Sequence, residues 1–252
     1  MLGSGNAATV LSALIVRAGH QIVQVVSRNE QNAKILANQY AASTTTLNAD
    51  HFEEADLYIF ALNDAALDHL ENISALKGKF VVHTAGAVSI DVFKNISSTY
   101  GVLYPLQSLS KSSDSTPEIP LLIDGNNKET LHRVLGFAKT LSDKVIEAND
   151  AERLKYNVAA VFVNNFTNHL YALAEIFCEK ERIDFATLFP LIEETTQRVK
   201  TNSPFLTQTG PAVRNDIFTL NRHLQALTSS PDLKYLYLKL TESIIKQHAE
   251  QK

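Results

Sequence analysis

Gly3-Ser4-Gly5-Asn6-Ala7-Ala8 heads the chain, and its reading decides the fold of the first half. An apolar, helix-compatible run follows, Thr9 to Ala18, then Gly19-His20, then a β-rich run, Gln21 to Val26, ending in Ser27-Arg28-Asn29. Glycine turn, helix, turn and strand in that order belong to a βαβ unit. The glycines then read as G-x-G-x-x-A. Gly3 permits a tight turn, Gly5 leaves room for a ligand to approach the backbone, and Ala8 lets the helix pack close to a sheet. The helix N-terminus offers free N–H groups and a partial positive charge, which suit a pyrophosphate. A tight loop of another fold is the competing reading, and the strand with its basic end weighs against it.

A dinucleotide fold places a strand of about five residues before such glycines. Only Met1-Leu2 precede Gly3. The first strand is therefore expected either as a stub or, preferably, as a longer strand with residues upstream of this sequence.

The end of the second strand selects the dinucleotide. NAD binders place an Asp or Glu there to bond the ribose 2′-hydroxyl. Here Ser27-Arg28-Asn29 stands in that place. An arginine pairs with a 2′-phosphate, which a carboxylate would repel. Glu30, the nearest acid, is expected to begin the next helix and point away. The cofactor expected is NADP(H), with an ordinary solvent-exposed arginine as the other reading.

The 252 residues are 45% hydrophobic and 20% charged, with a net charge of −4. No basic stripe is present, so nucleic acid is not expected as a partner. The longest apolar run, Val158 to Val163, is too short for a bilayer. Cys178 is the only cysteine, excluding an intrachain disulfide, and it reads as a packed thiol. No zinc-type Cys/His spacing occurs. A cytoplasmic protein that does not enter membranes is expected.

Strand-like runs (Gln21–Val26, Leu57–Leu62, Phe80–Thr84, Gly101–Tyr104, Pro120–Ile123) alternate with helical stretches (Glu30–Tyr40, Asp64–Leu70, Ile90–Ser97) as far as about Gly125. That alternation predicts an α/β Rossmann-type doubly wound sheet. Ser108–Pro117 reads as an exposed loop. Lys128–Leu141 has helical spacing, and Lys144–Glu147 is short and β-like. Beyond lie a long helix, Ala151 to Lys180, another over Asp184–Lys200, an irregular stretch, and two closing helices. The last should begin with Ser230 as N-cap and Pro231 at its first position. The expected division is a dinucleotide-binding domain, 1–147, and an all-α domain, 148–252.

Val158 to Val163 is apolar all round, so this part of the long helix should be buried on most sides. A homodimer built on 151–180 would bury it. Asn157, Asn164 and Asn168 share a helical stripe beside Asn165 and His169. Their amides cap loops, or bond across a subunit interface, or line a cleft facing the nicotinamide.

Ligands of doubly wound sheets bind at the carboxyl ends of the strands. Those ends carry Leu62-Asn63-Asp64, His83-Thr84-Ala85-Gly86 and Tyr104-Pro105-Leu106-Gln107-Ser108. Leu62, Asn63, Thr84, Ala85 and Gly86 are candidate neighbours of the cofactor, beside Gly3, Ser4, Gly5, Asn6, Ala7, Ala8, Ser27, Arg28 and Asn29. His83 reads as a strand residue covered by a helix. In Gly210-Pro211-Ala212-Val213-Arg214-Asn215-Asp216, Arg214 could hold a substrate carboxylate or pair with Asp216 to fasten the turn.

Gly3–Ala8, Tyr104-Pro105-Leu106-Gln107, Ala159-Ala160-Val161-Phe162 with Asn165-Phe166-Thr167-Asn168-His169, and Thr209-Gly210-Pro211 with Arg214 and Asp216 together resemble one family. It is the Rossmann-like oxidoreductases with a helical C-terminal domain of unknown function. The layout is more distantly similar to pyrroline-5-carboxylate reductase, deazaflavin-dependent NADP reductase and the 6-phosphogluconate dehydrogenase class. The resemblance implies a helical second domain used for dimerisation, an active site between domains, and no particular substrate.

Two departures bear on chemistry. The 3-hydroxy acid dehydrogenase relatives place a lysine three residues before an Asn-Asn pair, and here Val161 precedes Asn164-Asn165 at that spacing. The close group often has a histidine where this chain has Asn157, and an amide is no acid or base at neutral pH. The expected function is reduction of a small carbonyl or imine by hydride from NADPH, with Asn164, Asn168 and Arg214 as candidate catalytic residues. The alternative is a non-catalytic NADP-binding redox sensor or regulatory module.

Overall fold

A computed structural model describes residues 1–68, 70, 73–111 and 118–250. The chain divides into two compact units, Met1–Asn165 and Phe166–Lys252.

The first unit is a parallel-dominant sheet covered by helices. Its elements run α1 (Asn6–Arg17), β1 (Gln24–Val26), α2 (Glu30–Asn38), β2 (Ser43–Thr45), β3 (Tyr58–Phe60), α3 (Asp64–Asp68), β4 (Phe80–His83), β5 (Thr99–Pro105), β6 (Leu121–Gly125), α4 (Lys128–Leu141), β7 (Val145–Glu147) and α5 (Asp150–Ala160). Strands β3-β4-β5-β6-β7 pair in that order, and β1 pairs with β2. All pairings are parallel except β5 with β6.

Leu2 joins the two groups of strands. It bridges Val26 and Phe60, both in parallel register. Its N–H donates to the Ile59 carbonyl and its carbonyl accepts from Ala61 N–H, both at 2.8 Å. The first strand is thus present as a single bridging residue, and the neighbouring strands keep their hydrogen-bond partners through it. The glycine loop leaves the sheet from this central position.

Both sheet faces are buried, which is why the strands are nearly all apolar. Alternation sorts their side chains. Val25, Ile59, Val82 and Leu103 pack on one face with Ala8, Leu11 and Ile15 of α1 and Val134 and Ala138 of α4. Val26, Phe60 and Val81 pack on the other with Leu2, Leu67, Leu76 and Phe93. The positions 8, 11 and 15 of α1 follow helical spacing, so one stripe of that helix meets the sheet.

Several expected elements are shorter than their apolar runs. The run Gln21–Val26 yields only Gln24–Val26, and Leu57–Leu62 yields Tyr58–Phe60. Apolarity marks burial and extends beyond the residues that make ladder bonds. Strand β2 went unseen because Ser43-Thr44-Thr45 is polar and half-exposed at the sheet edge. Of the helix expected over Asp64–Leu70, the structure shows Asp64–Asp68, and residue 69 lies outside the described residues. Residues 112–117 of the expected polar loop lie outside the described residues.

The long helix has three parts. After α5 comes a π-helical turn, Val161–Phe166, then α6 (Thr167–Glu181). The apolar run is not buried as expected: Val158, Phe162 and Val163 are 50%, 62% and 76% exposed.

The second unit holds α6, α7 (Phe189–Thr201), α8 (Ile217–Ala226) and α9 (Pro231–Ala249). Cys178 packs inside it, with Ala212, Leu220 and Leu227 as its other buried apolar residues. Ser230 precedes α9 as expected, but its hydroxyl accepts from Lys180 Nζ at 3.0 Å and makes no cap bond. Ile176, Leu191, Phe218 and Tyr235 are more than half exposed. No helix among the described residues is long and apolar enough to cross a membrane.

Candidate dinucleotide site and adjoining pocket

The glycine loop shows two glycines with different reasons. Gly3 has φ +128°, and a Cβ there would overlap the carbonyl of Ala61. Its lack of a side chain serves the fold. A Cβ on Gly5 would meet nothing within 4 Å. No protein contact demands glycine at that position, which fits space kept for a ligand. Gly5 is also the N-cap of α1 and supplies no side-chain cap, so the first-turn N–H groups of Asn6, Ala7 and Ala8 are available to an anion. Ala8 is fully buried against the sheet.

The end of β1 lies beside this loop. Ser4 and Ser27 hydroxyls meet at 2.8 Å, and Ser27 Oγ also accepts from Asn29 N–H at 3.3 Å. Asn29 caps α2 by accepting from Asn32 N–H at 2.9 Å. Arg28 between them is exposed and has no ion pair among the described residues. Glu30 is turned onto Lys34 at 2.6 Å, and that ammonium holds its carboxyl below the usual range. Ser27, Arg28 and the loop N–H groups fit an NADP phosphate set: the first-turn amides would take the pyrophosphate and Arg28 the 2′-phosphate.

The next strand ends are more heavily engaged. Asn63 Oδ1 caps α3 by accepting from Ala66 N–H at 2.8 Å, leaving its amide nitrogen exposed. Thr84 is buried with its hydroxyl donating to the Phe60 carbonyl at 3.4 Å. Ala85 N–H donates to His83 Nδ1 at 3.2 Å. His83 is fully buried, and burial first, then the Arg153 charge, pushes its pKa down to about 3. It is a neutral structural residue. Leu62 is half-buried.

A cavity of about 400 Å³ opens at the carboxyl end of β5. Tyr104, Gln107, Ser108, Tyr156, Asn157, Asn164 and Asn165 supply its polar lining, and Leu106, Ala160 and Val163 part of its apolar lining. Among the described residues no charged side chain lines it. Asn157 Nδ2 donates to the Tyr104 hydroxyl at 2.9 Å. Gly86 lies against this pair: a Cβ on it would come 2.7 Å from Asn157 Nδ2 and 2.8 Å from Tyr104 Cζ.

Helix α5 is fastened where Asn157 needs it. A capping box joins Asn149 and Glu152. Asp150 accepts from Ser89 Oγ at 2.5 Å and from Ile90 N–H at 3.1 Å. Arg153, 1% exposed, donates to Asp150 at 2.7 Å and to the Val88 carbonyl at 2.5 Å. Desolvation raises the Asp150 carboxyl, but its hydrogen bonds from Ser89 and Arg153 outweigh it, and the pKa falls below the usual range.

The structure therefore brings together the glycine loop, Ser27–Asn29, Thr84–Gly86, Asn157 and Asn164 in one unit. Asn168 and Arg214 belong to the second unit, where both are exposed. Asp216 there caps α8, accepting from Thr219 N–H and Oγ1 at 3.0 and 2.7 Å, and makes no ion pair with Arg214 among the described residues. Sequence reasoning passed over the Tyr104 hydroxyl. The available signal was a tyrosine at the carboxyl end of a strand, beside a glycine ending the preceding one.

Residues 1–86 match the family described as NADP oxidoreductase coenzyme F420-dependent. Residues 119–244 match Domain of unknown function (DUF2520). A structure from Bacteroides fragilis described as a "putative NADP oxidoreductase" is 38% identical, with 97% of this chain and 96% of that one covered, at TM-score 0.88. The chain belongs to this family of NADP oxidoreductases with a DUF2520 C-terminal region. Its cofactor is NADP(H). A reductive aminase from Aspergillus terreus, in complex with NADPH and ethyl-5-oxohexanoate, shares the fold at 17% identity, covering 98% and 92% of the two chains, TM-score 0.68. A 1-pyrroline-5-carboxylate reductase from Streptococcus pyogenes does so at 13% identity, covering 97% and 96%, TM-score 0.57. No curated protein matches the chain.

Proposed function

We propose that this oxidoreductase reduces a small, uncharged carbonyl or imine compound, the bound NADPH supplying the hydride. The observation that carries the reading is a pocket at the carboxyl end of β5 with no charged lining among the described residues, whose Tyr104 and Asn157 lie against Gly86, just beyond β4. A pocket lined by amides, hydroxyls and small apolar groups orients a neutral substrate by hydrogen bonds. The relatives described as a reductive aminase and a pyrroline-5-carboxylate reductase favour substrates with a C=N bond. Within this reading Asn164 hydrogen-bonds the substrate.

Oxidation of NADPH measured against a panel of ketones, keto acids and cyclic imines tests it. Turnover of neutral imines or ketones is expected. Tight NADPH binding with no turnover of any compound would instead favour a redox-sensing module.

The same reading includes a homodimer formed through 151–180, with residues 1–147 as the cofactor domain and 148–252 as the substrate and dimerisation domain. Support comes from apolar side chains left uncovered along that helix, Val158, Val163 and Ile176 among them. Light scattering at micromolar concentration should give twice the chain mass of 27.9 kDa, and Ile176→Glu should lower it. A monomeric wild type would refute the dimer. A cytoplasmic location accords with the single cysteine.

A further inference from the structure

We propose that Tyr104 is the acid of the reaction, and that Asn157 is the positioning residue that aims it. The proposal rests on the reductase reading above and deepens it. An amide at 157 cannot supply a proton, and no charged side chain lines the pocket among the described residues. Of the two phenols in that lining, Tyr104 is the one held in a fixed direction, by Asn157, while Tyr156 is exposed.

Three observations fix the direction. Tyr104 is the penultimate residue of β5, which runs parallel to β4, so its side chain stands at the same end of the sheet as Thr84–Gly86. Its oxygen accepts the Asn157 amide hydrogen, and no described residue accepts its own O–H. The proton is therefore left for a group in the pocket. Gly86 accounts for the third: its φ does not require glycine, yet any side chain would strike both members of the pair. Glycine at 86 makes sense as room for this pair.

Asn157 in turn is held by its helix. Arg153 and Asp150 tie the first turn of α5 to Val88, Ser89 and Ile90, and Asn157 follows Arg153 by one turn. His83, the nearest histidine at these strand ends, is buried and committed to Ala85 N–H, so it offers no rival proton.

The step balances simply. Hydride from the reduced nicotinamide adds to the carbon of C=O or C=N, and the π electrons move onto oxygen or nitrogen. That atom takes the Tyr104 proton. The phenolate left behind is half-exposed and regains a proton from water. The products are the alcohol or amine and the oxidised dinucleotide.

A permanently charged iminium needs hydride and no proton, and it separates the roles. A cyclic imine from the panel is assayed above its own pKa beside its N-methyl iminium. Tyr104→Phe should slow the neutral imine on the order of 100-fold or more. It should leave the iminium within about threefold, and calorimetric NADPH affinity unchanged. Asn157→Ala should show a smaller loss of the same pattern, partly restored in Asn157→Gln. In protein labelled with 3-fluorotyrosine, the resonance absent from Tyr104→Phe should shift when the neutral imine binds beside NADP⁺. Equal slowing of both substrates, no slowing, or an unmoved resonance with the imine bound would overturn the role of Tyr104 while the reductase reading stands. No turnover of any panel compound by the wild type would remove both.

Discussion

Arg153 and Asn157 stand one helical turn apart and grip the same loop, Arg153 through the Val88 carbonyl at 2.5 Å and Asn157 by covering Gly86. The guanidinium that orients the helix is 1% exposed, while its carboxylate partner Asp150 is 40% exposed. The ion pair matters here for where it puts Asn157.

Arg153→Met should therefore cost both stability and function. Loss of two charge-assisted bonds at a buried site destabilises by about 2–4 kcal/mol, tempered because Asp150 can reach water. Urea midpoints measure the first. Turnover of a neutral imine should fall more than NADPH affinity, because the cofactor loop lies on other elements. Equal losses in both would show that the helix anchor does not act through Asn157.

Gly3 and Gly5 should separate folding from binding. Gly3→Ala forces a Cβ into the Ala61 carbonyl at φ +128° and should destabilise by roughly 1–3 kcal/mol or more. Gly5→Ala meets no neighbour and should leave the urea midpoint nearly unchanged. It should still weaken NADPH by tenfold or more in calorimetry, as a methyl enters the space kept for phosphate. A stability loss at Gly5 equal to that at Gly3 would contradict the division.

The glycine pair, the doubly wound sheet and the helical second half were legible in the sequence because each rests on local pattern. Gly3 to Ala8 needs one turn and one helix, and alternating apolar runs need only a sheet with two covered faces. Tyr104, Asn157 and Gly86 are 18 to 71 positions apart. Their meeting depends on strand order and on the Arg153 anchor, which no periodicity encodes. The exposure of Val158 to Val163 failed for a related reason: an apolar helix face announces that it needs cover, but not that the cover comes from the same chain.

Arg28→Asp should cost NADP about 1.5–3 kcal/mol of binding free energy through loss of a charge-assisted contact. Affinity for NAD should change far less. Arg28 is exposed with no competing ion pair among the described residues, so its loss should not disturb the fold. Equal weakening of both dinucleotides, or a wild type preferring NAD, would remove Arg28 from the 2′-phosphate.

His83 should make the fold acid-sensitive. Its folded pKa is depressed to about 3 from 6.5, so the unfolded chain binds the proton more tightly between those values. Stability is unaffected by His83 above about pH 6.5 and declines by up to about 1.4 kcal/mol for each unit below it. Asp150, also depressed, contributes a further decline only once the pH nears the carboxylate range. Urea midpoints from neutral pH to about pH 4.5 should fall less steeply in His83→Phe than in the wild type. Parallel slopes would mean that the imidazole protonates in place.

Gly86, Tyr104 and Asn157 occupy one another's space so fully that they form a single locus of inheritance. A side chain at residue 86 would push aside the tip of Asn157 or of Tyr104 and so disturb the bond between them. Redesigning this pocket for another substrate therefore ties the choice at 86 to the aim of the phenol, and bulk added there is gained at the expense of that direction.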